Sequence, residues 1–280
     1  VQLANAGGTF TGCTFSGNTA GGNRGGAVSV ENSSGTFTNC TVSGNTANFG
    51  AGIALFNPSG NRTLSITNCT ITGNTSFGNN ASGLLVEVAA GLTTTATVRN
   101  SIIANNSGTE NVRGLLGGAI SPATIVSQGY NLTSDNSTTF LNQATDITNA
   151  NPRLGALQNN GGTTQTHALL LNSPATDKGS AIPGLTVDQR GRTRPFDVVG
   201  VAAANGGDGS DIGAVEMQTV VVDNTGDAGA GSLRAAIIAA NANGTGLDDI
   251  LFDNTIFSAP STINLLSPLP DITGSVTING

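Results

Sequence analysis

Short runs in which apolar and polar positions alternate recur along the first hundred residues. Thr36-Phe37-Thr38, Leu64-Ser65-Ile66-Thr67 and Thr97-Val98-Arg99 are three of them, and a period of two marks a strand with one buried face. Each run ends at a corner residue, Asn39, Asn68 or Asn100, with Gly12 in the first copy. Asn and Gly share tolerance of the left-handed backbone conformation that a sharp bend requires. A second strand then begins at a Cys. In Cys40-Thr41-Val42-Ser43, alternation sets Cys40 and Val42 on one face and Thr41 and Ser43 on the other. A Gly-Asn turn and a Gly-rich loop lead to a third strand, at Val28-Ser29-Val30, Ile53-Ala54-Leu55 and Leu84-Leu85-Val86.

The unit repeats. Cys13-Thr14-Phe15-Ser16-Gly17-Asn18-Thr19 returns at Cys40–Thr46 and Cys69–Thr75, and in decayed form at Ser101–Ser107, with spacings of 27, 29 and 32 residues. A fixed motif with a drifting period means constant strands and variable loops. Thr, Ser, Asn and Gly dominate these segments, which argues against helical repeats of similar length. Three short strands per coil, stacked ~4.8 Å apart, predict an all-β, right-handed parallel β-helix. Stacking places Cys13, Cys40 and Cys69 in one inward column of small buried thiols. It also sets Asn39, Asn68 and Asn100 in a row whose amides are expected to bond along the stack.

Composition narrows the functional classes. Ten Lys and Arg against seventeen Asp and Glu give a net charge of −7, so no basic face is available for nucleic acid. No apolar run is long enough to span a membrane. The chain opens directly into patterned sequence at Val1 without a signal peptide, as a mature piece or fragment would. Three cysteines cannot all pair within the chain and lack zinc-ligand spacing.

Past residue 108 the repeat fades, though Ala123–Val126 and Tyr130–Leu132 still read as strands. From Asn151 the text is irregular, with several prolines and the cluster Arg190, Arg192 and Arg194. A third regime starts at Thr219, with a strand at Val220–Val222 and then a helix. Ser232 is its N-cap, Leu233, Ala236, Ile237 and Ala240 are its apolar stripe, and Gly244 is its end. Strands are expected near Ile250–Phe252, Thr262–Leu265 and Val276–Ile278. The domains are therefore residues 1–128, 129–218 and 219–280, the last a small α+β capping module after an irregular tail.

Two stretches resemble known bacterial modules. Gly129-Tyr130-Asn131-Leu132, Asn151–Gly162, Thr166–Leu170, Ser173-Pro174-Ala175, Asp188-Gln189-Arg190-Gly191 and Asp211–Glu216 make residues 129–216 similar to the choice-of-anchor Q domain. Gly231–Ile237 makes residues 219–280 similar to the CSLREA-type module that starts such proteins, with Gly231 in place of its first Cys and Ala235 in place of its Glu. The resemblance implies a bacterial extracellular or cell-surface β-helix protein without an established catalytic activity. In such proteins the CSLREA-like module precedes the coils, whereas here it follows them. The chain is thus expected to be a window on a tandem array, cut across a unit boundary near residue 217.

Candidate chemistry is sparse. Glu31 and Glu87 are the only acids within residues 1–107. On the third strand they fall about 10 Å apart, two coil rises, slightly beyond an inverting glycosidase pair, and no aromatic platform is evident beside them. His167 is the only histidine, so neither a His-based metal cluster nor a Ser-His-Asp triad is convincing, and a local packing or hydrogen-bonding role is expected. Arg190, Arg192 and Arg194 are expected to pair with Asp188 and Asp197. Asp208 and Asp211, and Asp223 and Asp227, lie in oxygen-rich loops where calcium is the only cofactor to consider; Asx-turns account for them equally well. The preferred reading is a non-catalytic structural or adhesive solenoid. Its partners would be neighbouring units of the same kind, met head to tail through Ser275, Val276, Thr277 and Ile278, or surface glycans. The alternative is a polysaccharide lyase, hydrolase or carbohydrate-binding module on the same scaffold.

Overall fold

The computed structural model describes residues 1–280 apart from 79–80, 122–123, 199–200, 243–246, 254, 274 and 280. Its first half is a right-handed parallel β-solenoid. One sheet stacks Gly8–Thr11, Gly35–Thr38, Thr63–Thr67, Thr95–Arg99 and Ile125–Ser127, all parallel. The next stacks Thr14–Ser16, Thr41–Ser43, Thr70–Thr72 and Ile102–Ala104. A further sheet runs from Gln2–Ala4 through Val28–Glu31, Ile53–Asn57 and Leu84–Val88 to Val112–Leu116, closed by the antiparallel pair with Ala119–Ile120. Where three strands per coil were expected there are four in the early coils. Thr19–Arg24, Thr46–Phe49 and Thr75–Ser76 form their own parallel sheet, because the Gly-rich loop is long enough to pair along the stack before it turns. The strand expected at Ala123–Val126 is Ile125–Ser127, with Ala123 outside the described residues.

The alternation works as expected. Phe37, Ile66 and Val98 stack in one column and Val42, Ile71 and Ile103 in another, all buried in the central core with Cys40 and Cys69. The corners are left-handed, with φ of 49° at Asn39, 49° at Asn68 and 47° at Asn100. The amide ladder, however, is not there. It runs through the Gly-Asn turns instead: Asn18 Nδ2 donates to Asn45 Oδ1 at 2.9 Å, Asn45 to Asn74 at 2.8 Å, Asn74 to Asn106 at 2.8 Å and Asn106 to Asn111 at 3.0 Å. Each Oδ1 also accepts the backbone N–H of the preceding rung. The row ends on Asp135, which accepts from the Asn111 N–H at 2.6 Å; a last rung needs only an acceptor, so a carboxylate suits it. The physical reason for the exchange lies in the turn. Gly17, Gly44 and Gly73 take the positive φ, leaving the Asn that follows free to aim its amide along the stack.

Among the described residues, those from 152 to 218 add no coils. They fold back along the outside of the sheet containing Thr41–Ser43, around the hairpin Leu154–Gln158 and Thr166–Leu169 and an apolar cluster of Leu169, Ala175, Val198, Ile212, Val215 and Met217 against Ile102, Ala104 and Leu132. The last module is a parallel sheet of Thr219–Val222, Leu247–Phe252 and Ser275–Asn279. Helix Leu233–Ala242 packs on it through Ala236, Ile237 and Ala240. The Ser232 hydroxyl accepts the Ala235 N–H at 3.2 Å, the expected N-cap; Gly244 lies outside the described residues. Thr262–Leu265 is not a strand, since two prolines at 268 and 270 interrupt the segment leading to the next sheet position. Among the described residues no helix is long and apolar enough to cross a membrane.

Candidate functional site

Two surfaces of the solenoid carry chemistry. The first is the outer face of the sheet that contains Val28–Glu31. Glu31, Phe56 and Glu87 occupy one row on successive coils. An aromatic ring thus stands between the two acids, contrary to the sequence reading, because Phe56 shares their outward phase in Ile53–Asn57. Arg24 reaches across the row: its guanidinium lies 4.1 Å from the Phe56 ring centre and donates to Glu87 at 2.8 and 3.0 Å. Gln2 Nε2 donates to Glu31 at 3.2 Å. The cation covers the ring on which a sugar would stack and ties up one of the two acids, so the row is a cross-coil staple.

The second surface is the hydroxyl face of Thr14, Thr41, Ser43 and Thr70. It faces away from the core, yet Thr41, Ser43 and Thr70 are buried beneath the folded-back tail. Thr41 Oγ1 donates to Gln189 Oε1 at 2.6 Å, and Gln189 Nε2 donates to Thr14 Oγ1 at 2.8 Å. Thr70 Oγ1 accepts the Ala214 N–H at 3.0 Å, and the Asn100 carbonyl accepts that of Gly213 at 2.8 Å. His167 Nδ1 lies 2.7 Å from the Gly155 carbonyl and Nε2 lies 2.8 Å from Ser43 Oγ. A carbonyl only accepts, so Nδ1 carries the proton and Nε2 accepts from Ser43; burial lowers the imidazole pKa. The tail is a clasp, and it consumes the face.

Inside the clasp several charged groups are buried, and the arginines among them have partners. Arg190 donates to Asp188 at 2.8 and 2.9 Å, and Arg194 to Glu216 at 2.5 Å, while Arg192 reaches Gln218 at 2.7 Å. The Arg–Asp188 pair was legible; the partner of Arg194 is Glu216, not Asp197. Burial raises the carboxyls of Asp211 and Glu216, and that of Asp177 to about 6. Asp197 and Glu216 add to the rise at Asp177, while the Val198 N–H and Lys178 oppose it. A carboxyl raised on folding stabilises fully below its unfolded pKa, and that stability is lost as pH rises through the folded value. The clasp is therefore expected to melt at a lower temperature at pH about 7.5 than at about 4.5, with Asp177→Asn flattening the difference. Thermal melts across that range check it; a rising midpoint would contradict the assignment.

The family model described as right handed beta helix region matches residues 1–151. The chain belongs to the right-handed β-helix family. No curated protein and no solved structure matches it. The β-helix match takes in the parallel strands of the first solenoid and ends at the threshold of the clasp, at Asn151.

Within this β-helix frame the remaining sequence candidates separate. Cys13, Cys40 and Cys69 are unpaired, with Cys40 and Cys69 buried and Cys13 half-buried in the first coil. Each Sγ–H donates to the carbonyl two residues earlier, and Ser101 Oγ repeats the bond to Arg99. Burial pushes the Cys69 thiol well up, which suits a packing role. The corner residues Asn39 and Asn100 bond to the clasp rather than to each other, through the Val187 and Ser180 carbonyls. Asp208 accepts the Ala181 N–H at 3.0 Å and Asp211 that of Asp177 at 2.7 Å, whereas Asp223 accepts from Asn224 and Asp227 from Arg234. They lie in two separate modules, and among the described residues no group of three acid, Cys or His side chains is placed to hold a metal. Ser275–Asn279 is the outermost strand of its sheet.

Proposed function

We propose that the chain is a non-catalytic structural segment of an extracellular or cell-surface rod. The observation that carries this reading is the period of the last module. Val220, Ile250 and Ile278 are register partners in its parallel sheet, so its strands recur after 30 and 28 residues, within the 27 to 32 of the solenoid. The module has the form of a second solenoid beginning under a capping helix. Leu265, Leu266, Ile272 and Ile278 are exposed there, apolar surface that a further coil would cover. The likeness to choice-of-anchor Q and CSLREA-type proteins supports the same reading and adds a bacterial surface setting.

In this proposal units join head to tail. The free edge of Ser275–Asn279 takes up a further parallel strand of a neighbouring unit, an unclosed heterologous contact that propagates as a filament. Light scattering of the full chain should show concentration-dependent oligomers, and a chain ending at Gln218 should stay monomeric. A full chain that remains monomeric at high concentration would remove the self-joining mechanism and leave a single stalk segment.

The row Glu31, Phe56 and Glu87 gives one observation in favour of a carbohydrate-active alternative. Its geometry supports it poorly, since Arg24 sits on the ring and neutralises Glu87. No hydrolysis or elimination is expected with acidic or neutral polysaccharides assayed by reducing ends and by absorbance of unsaturated products. Turnover that vanished in Glu31→Gln or Glu87→Gln would reverse the reading.

A further inference from the structure

We infer that ordered water is bound in a short file between the corner asparagines and an arch of the clasp. The arch is the segment from Ser180 to Val187. It touches the corner row at both ends: Ser180 pairs with Asn100 through its carbonyl and, at 3.2 Å, its N–H, and the Val187 carbonyl accepts from Asn39 Nδ2 at 2.9 Å. Between these anchors the chain turns on itself, with an antiparallel bridge from Ile182 to Leu185 and the Leu185 N–H on the Ile182 carbonyl at 2.9 Å. Asn68 is the corner residue of the coil between Asn39 and Asn100. Its side chain is fully buried, and among the described residues neither Nδ2 nor Oδ1 meets a donor or acceptor; Asn39 Oδ1 is also without a partner among them.

Buried amide groups left unpaired are destabilising, so a ligand that both donates and accepts is called for. Geometry selects water. Equivalent atoms on adjacent coils lie ~4.8 Å apart, and two hydrogen bonds of ~2.9 Å meeting at a roughly tetrahedral oxygen span that distance. One water bridges Asn39 Oδ1 and the Asn68 amide, and a second pairs with the remaining polar atom of that amide. A cation fits worse, since Nδ2 is a donor and would face it. The direct bonds to Ser180 leave Asn100 no need of a bridge, so the file stops there.

Water–protein nuclear Overhauser spectra of the full chain test this in solution. The Asn68 side-chain amide protons, assigned by their loss in Asn68→Gly (which tolerates the positive φ), should show cross-peaks of the sign produced by water held for longer than a nanosecond. The Asn100 amide should show none. Absence of such cross-peaks at Asn68 would overturn the inference, because the arch would then be collapsed onto the corner. A shift of the Asn68 resonances on adding calcium chloride would also overturn it, by placing a cation in the arch.

Discussion

Gly213→Val is expected to release the clasp while leaving the coils folded. Gly213 sits at φ 110°, a conformation that side chains rarely adopt. A Cβ there would lie 2.9 Å from Ile102 Cδ1 and from Thr70 Oγ1, both on a rigid sheet. The backbone must lift, and lifting breaks the bonds from Gly213 to the Asn100 carbonyl and from Ala214 to Thr70. Strain plus overpacking is worth roughly 2–5 kcal/mol, comparable to what holds a docked segment on a scaffold. Limited proteolysis should cut within 152–218 many times faster in the variant, leaving a resistant fragment from the coils. Gly17→Ala is the control. Gly17 also has a positive φ, 65°, but nothing lies within 4 Å of the new Cβ, so only the left-handed penalty of ~1 kcal/mol remains. Equal protection in Gly213→Val and the natural chain would show that the clasp does not press on the sheet.

The second large effect is in the turn ladder. Asn74 is fully buried. Its Oδ1 accepts from the Asn45 N–H and Nδ2, and its own Nδ2 donates to Asn106 and to the Val42 and Thr72 carbonyls. Asn74→Leu strands the buried Asn45 N–H and cuts the row in two. At about 1–3 kcal/mol per orphaned group the loss should be roughly 3 kcal/mol or more. Asn18→Leu, at the exposed first rung, should cost less than about 1 kcal/mol because water replaces what is lost. Denaturant midpoints compare the two, and similar losses would mean that the ladder is decorative.

These two sites mark where the sequence was and was not readable. Phe37, Cys40 and Val42 went inward because a period of two leaves a strand no other choice. The turn Asn recurs in all four copies and the corner Asn in three, with Gly12 in the first, a difference too small by itself to say which row bonds along the stack. The distinguishing sign was the Gly before Asn18, Asn45 and Asn74, which takes the left-handed turn and releases the amide. In the decayed copy Asn105 replaces that Gly at φ 57° and Asn106 keeps the rung. The clasp left a subtler sign. Thr41 and Thr70 face outward, and at the same register stands Ile102, with Ala104 beside Thr72 and Ser43. An apolar pair on a hydroxyl face means that something covers it. Beyond the Arg190–Asp188 pair, the buried set of Asp177, Asp211, Glu216 and Arg194 could not be foreseen, since its members come together across a segment without periodicity. The Phe56 between Glu31 and Glu87 was readable from register and was missed because Asn57 and the loop after it drew the strand's end too early.

The central claim is that residues 152–218 are a clasp locked onto the hydroxyl face of a β-helix, so that the face is structural and not a binding surface. Amide hydrogen exchange of the natural chain tests it most directly, at Gly213 and Ala214, whose N–H groups donate to Asn100 and Thr70 of the solenoid. The account predicts protection there close to that of the core strand Thr70–Thr72, lost only on large-scale opening. Exchange of Gly213 and Ala214 within seconds, with Thr70–Thr72 still protected, would contradict it.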